Sequence, residues 1–121
     1  MNYRYLLLVL ITVVCFSLIA ISQPRGNRVE MQLKRITEKV ELTKEQTVKV
    51  KDLLQKAQDE IRAQFENSDG DREARREAMV KQMEKTDAEI IKLLTKKQKP
   101  KYDEYKKERR KEMQERMRER Q

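Results

Sequence analysis

Histidine and tryptophan are absent from this 121-residue chain, cysteine occurs once, and glycine and proline occur twice each. Each scarcity removes a class of chemistry. Without histidine there is no imidazole to act as a general base near neutral pH, and the commonest ligand for transition metals is missing. The glycines, Gly26 and Gly70, stand alone, so no glycine-rich loop can cradle a phosphate. Two phenylalanines and four tyrosines are too few to interleave with the basic residues and stack nucleic-acid bases. Carboxylates are plentiful, but they are interleaved with lysine and arginine as on a solvated helix surface. No enzyme, no cofactor and no nucleic-acid partner are expected.

The longest uncharged stretch is at the N-terminus. Arg4 precedes sixteen residues, Leu6 to Ile21, without a charge. Ala20 and Ser22 place small side chains at the −3 and −1 positions for cleavage between Ser22 and Gln23. This is the layout of a secretory signal peptide, and sixteen residues fall short of the about 20 that a membrane span needs. The expectation is export with residues 1–22 removed; an uncleaved N-terminal anchor is the alternative. Val13 and Val14 stand before Cys15 where a lipid-modified cysteine has small residues. Cleavage would remove Cys15 and leave 28 basic residues against 21 acidic, with no thiol and no disulfide.

What the chain does have is a pentapeptide written twice. Leu42-Thr43-Lys44-Glu45-Gln46 returns as Leu94-Thr95-Lys96-Lys97-Gln98, fifty-two residues on. Each threonine can cap a helix by accepting a first-turn N–H. Each glutamine, three residues later, can reach back to the cap's own N–H. Two such boxes predict two helix-to-helix corners and an internal duplication.

Apolar residues on both sides recur at helical spacing. Val29, Leu33, Ile36 and Val40 form one stripe after a helix start at Asn27. Val50, Leu53, Leu54, Ala57, Ile61 and Phe65 form a second, over a helix from Lys44 to about Glu66. Asn67 to Asp71 then favours a turn. A third helix is predicted from Arg72 to Leu93, with Ala78, Met79, Met83, Ile90, Ile91 and Leu94 inward and a thinly apolar middle around Thr86 and Asp87. The fourth carries Tyr102, Tyr105, Met113 and Met117, with a kink or restart expected at Pro100. From Lys96 onward 12 basic residues face 6 acidic ones, and the last fifteen residues are expected to fray.

Leu-Thr-x-x-Gln in two copies, within a short, charged, exported helical chain, resembles the Spy/CpxP family of periplasmic proteins. The resemblance rests on Leu42, Thr43, Gln46, Leu94, Thr95 and Gln98. It implies an all-α fold of two helical hairpins in an open, cradle-like layer, and a homodimer. Narrow apolar stripes point the same way, because such a layer leaves a face for a second copy to cover. The expected organisation is a signal segment 1–22, a flexible leader 23–27, a helical domain 28–106 and a charged helical tail 107–121.

The resemblance also implies an ATP-independent chaperone or envelope-stress accessory that binds unfolded or non-native proteins. A regulator docking on the periplasmic domain of a membrane sensor kinase is one alternative. A metal-responsive sensor or scavenger is another. Relatives in that family bind metals through histidine, which is absent here. What remains is methionine: Met79 with Met83, and Met113 with Met117, are i,i+4 pairs of soft thioethers suited to Cu(I). Methionine more commonly fills irregular apolar surfaces, so no metal is expected. The basic excess suits acidic or unfolded chains and weak contact with an anionic membrane.

Overall fold

A computed structural model describes residues 27–120; the expected signal segment, its Ser22–Gln23 cleavage point and residues 23–26 lie outside them. The described chain is all-helical: α1 (Asn27–Val40), α2 (Lys44–Glu66), α3 (Arg72–Leu93) and α4 (Gln98–Arg118). α2 packs along α3, and α1 packs against both α2 and α4. No described helix is long and apolar enough to cross a membrane.

The core follows the predicted stripes closely in α1, where Val29, Leu33, Ile36 and Val40 are all buried. Val50 and Leu54 meet them from α2, Ile90 and Leu94 from α3, and Tyr102 and Tyr105 from α4. Ile36, Val40, Val50, Ile90 and Tyr102 lose all their solvent exposure. Full burial of an aliphatic side chain is worth about 1.5–3 kcal/mol, so this cluster is the main apolar stabilisation.

Each junction has its own stop signal. At the end of α1, Glu41 adopts φ 57°, and the Leu42 N–H donates to Thr37 O at 3.3 Å. This is a Schellman closure with a non-glycine residue in the left-handed region. Between α2 and α3, Gly70 (φ 80°) allows the turn, and Asp71 caps α3 by accepting from the N–H groups of Glu73 and Ala74. Arg75 reinforces this joint: its Nε donates to Ser68 Oγ at 3.0 Å, and its guanidinium lies 5.6 Å from the centre of the Phe65 ring.

The structure departs from the expectations at four points. Met79 does not face inward; it is 40% exposed. The middle of α3, thin in apolar residues, is buried nonetheless through Gln82, Thr86 and Asp87. The last fifteen residues do not fray from their start, since α4 runs to Arg118 and is tied back to the body. Arg109 pairs with Asp87, Lys39 with Glu108, and Arg35 with Glu112 at 2.5 and 3.1 Å. Pro100 causes no break within α4: the regular helix begins at Gln98, so the proline falls in the first turn, where its missing N–H is not needed.

Candidate functional site: joined corners and a four-helix cleft

Both capping boxes form. Gln46 N–H donates to Thr43 Oγ1 at 3.2 Å, and Thr43 N–H to Gln46 Oε1 at 3.0 Å. Gln98 N–H donates to Thr95 Oγ1 at 3.3 Å, and Thr95 N–H to Gln98 Oε1 at 3.0 Å. The second box closes around a turn at Lys96 and Lys97 before the helix becomes regular, so Thr95 sits two residues further from its helix than Thr43 does.

The two corners also hold each other. Gln46 Nε2 donates to Gln98 Oε1 at 2.8 Å and to Leu93 O at 2.9 Å. Gln98 Nε2 donates to Gln46 Oε1 at 2.9 Å and to Glu41 O at 3.1 Å. Glu41 and Leu93 occupy equivalent positions in the two copies, each five residues before its glutamine. The contact is therefore symmetric. Every donor and every oxygen lone pair of both amides is used, as burial of polar groups requires. Leu94 is buried and Leu42 packs at the edge of the same core.

A second polar device ties α4 to α3. Asp87, buried, accepts from Tyr102 Oη at 2.7 Å and from Arg109 through both Nη1 (3.0 Å) and Nη2 (2.6 Å). α3 and α4 are consecutive but are not closely packed along their lengths as a simple hairpin would be; these bonds join them. Burial works against the charge on Arg109, yet the hydrogen bonds and charge of Asp87 outweigh it and raise its pKa. Burial, with the Asp87 charge added, pushes the Tyr102 hydroxyl far above the ordinary tyrosine range. Tyr105, 5.6 Å away ring to ring, is also raised by burial, against the opposing pull of Arg109.

Asp87, Tyr105 and Arg109 form part of the wall of a cleft of about 520 Å³ to which all four helices contribute. Its apolar lining includes Val29 of α1, Leu54, Ala57, Ile61 and Phe65 of α2, and methionines on α1, α3 and α4. Arg28, Arg35, Arg109 and Arg116 outnumber Asp87 and Glu112 on its walls. Met31, 60% exposed, and Met79 show that it opens to solvent.

Of the methionines singled out as ligands, Met79, Met83 and Met113 share this cleft. Met117 does not; its Sδ accepts from Arg76. No cluster of three or more histidine, cysteine, aspartate or glutamate side chains that could hold a metal occurs among the described residues. Sequence reasoning missed Met31, Gln82, Asp87 and Arg109, and assigned Tyr102 only to an apolar stripe.

Comparison with known proteins returned no matching family model, no similar curated protein and no similar solved structure.

Proposed function

We propose that this chain is a periplasmic, Spy/CpxP-like binding protein that holds apolar segments of non-native proteins in the four-helix cleft, without nucleotide. The observation that carries this reading is the cleft itself. An apolar floor from Leu54, Ile61 and Phe65 is combined with adaptable methionines and a surplus of arginine on the walls. Methionine accommodates varied apolar shapes, and arginine favours acidic flanks on the bound chain. The duplicated corners suit a frame for such a cleft, because they brace the helices that line it. Occupation by a second copy of this chain, as a homodimer, belongs to the same proposal.

The test is light scattering from an aggregating, chemically unfolded protein, with and without the purified chain and with no ATP. Suppression at near-stoichiometric ratios is expected. Met79→Asp, on an exposed cleft position, should weaken suppression while leaving the melting temperature within a few degrees of the parent. No suppression at several-fold excess would remove the chaperone reading in favour of a dedicated partner such as a sensor domain.

A further inference from the structure

We propose that Met31, Met79, Met83 and Met113 form an oxidant-sensitive set whose conversion to sulfoxide weakens the cleft's hold on apolar segments. The consequence for binding rests on the reading of the cleft given above; the chemical selectivity does not.

The selectivity follows from the inventory of oxidisable groups. The described residues contain no cysteine, histidine or tryptophan. Their two tyrosines, Tyr102 and Tyr105, are at 0% and 2% exposure, so both rings are shielded from a dissolved oxidant. Thioethers remain. Four of the five described methionines line the one cleft: Met31 from α1, Met79 and Met83 from α3, and Met113 from α4. Met31 and Met79 are exposed, and Met83 and Met113 half-buried, so an oxidant reaches them without unfolding. Met117 lies outside the cleft, with its sulfur engaged by Arg76.

The reaction with a peroxide is simple two-electron chemistry. A sulfur lone pair attacks one oxygen of hydrogen peroxide, the O–O bond breaks, and the second oxygen leaves as water after proton transfer. The thioether is oxidised and the peroxide reduced. The product is a polar, strongly hydrogen-bond-accepting group where an apolar one stood. Sulfoxides on three of the four helices would hydrate an apolar lining, and apolar segments would lose the surface they rest on.

The experiment treats the full chain with hydrogen peroxide and follows it by intact mass and peptide mapping, scoring Met1 and Cys15 separately. Each added oxygen is about 16 Da. In parallel, binding of a fluorescent amphipathic peptide of leucine and glutamate is measured before and after treatment. Oxidation at the four cleft methionines ahead of Met117 and the tyrosines is expected, with roughly tenfold weaker peptide binding. A variant carrying Leu at all four positions, a near-volume-conserving change, should bind the peptide equally well before and after peroxide. Slower oxidation of the cleft methionines than of Met117 would overturn the site assignment. Full oxidation of the cleft with unchanged peptide binding would overturn its consequence. If the untreated chain binds no peptide, the cleft reading itself falls and the consequence with it, while the mass data still decide the selectivity.

Discussion

Gln46 and Gln98 exchange two hydrogen bonds, Nε2 to Oε1 in each direction, at 2.8 and 2.9 Å. Each oxygen also receives the N–H of its own capping threonine. One residue type thus does two jobs at each corner. It completes a cap locally, and it bonds to its duplicate fifty-two residues away. Glutamate could do the first job and not the second, because it has no N–H.

Gln98→Glu should therefore destabilise the fold by about 2–3 kcal/mol, since it removes two donors and sets a carboxylate against Glu41 O and Gln46 Oε1. Denaturant unfolding checks this. Gln46→Ala and Gln98→Ala should be non-additive, because either change leaves the other amide short of partners. The double variant should cost at least about 0.5 kcal/mol less than the sum of the singles. Additive losses would mean that the two glutamines act only as separate caps.

Thr43→Ala and Thr95→Ala remove the other half of each box. Each should cost about 0.5–2 kcal/mol in thermal or denaturant unfolding. Parent-like melting of both variants would refute the role of the threonines.

The buried charge pair predicts the fate of the tail. Deleting residues 107–121 removes Arg109 and leaves Asp87 buried with only the Tyr102 hydroxyl. Breaking such a pair from one side costs about 3–5 kcal/mol, which is a large part of the stability of a small domain. The truncated chain should lose cooperative unfolding or melt far below the parent. Replacing both Asp87 and Arg109 with apolar residues of similar volume should cost much less than Arg109→Ala alone. Recovery of this kind, read by circular dichroism, separates an orphaned charge from lost packing.

The tyrosines set the alkaline limit. Burial raises the pKa of Tyr102 and of Tyr105 in the folded chain. In the unfolded chain both ionise near pH 10. A raised folded pKa means that the stabilisation is complete below about pH 10 and is lost as pH climbs beyond it. Tyrosinate absorbance from these two residues should appear together with loss of helix, not before it. Tyr102→Phe should flatten the alkaline fall in stability. Ionisation of both rings in a fully helical chain would contradict their burial.

α1 was legible because its four inward residues are all aliphatic and evenly spaced, and all four are buried. The α2–α3 turn was legible because Gly70 and Asp71 carry their own backbone preferences. The middle of α3 was not. Gln82, Thr86 and Asp87 point inward, but they are polar, so an apolar periodicity passes over them. Asp87 is satisfied by Arg109, and Arg109 stands in a run of alternating charge where any arginine looks solvated. Nothing local marks such a pair until the helices are placed. The joining of the corners did leave a sign: both copies carry glutamine, not glutamate, at the position that closes the box. The cleft collects single methionines from separate helices, and no spacing rule links Met31 to Met113.

The cleft is the proposed place where other chains are held. Site-specific photo-cross-linking addresses this directly, with a photoreactive amino acid placed singly at Met79, Val80 or Val48 and a chemically unfolded protein as the target. Met79 lines the cleft; Val80, its neighbour on α3, and Val48 on α2 are also exposed apolar positions but lie outside it. Strong cross-linking from position 79, with little from 80 or 48, is the predicted result. Equal yields from all three positions, or a higher yield from Val48, would contradict the cleft as the binding site.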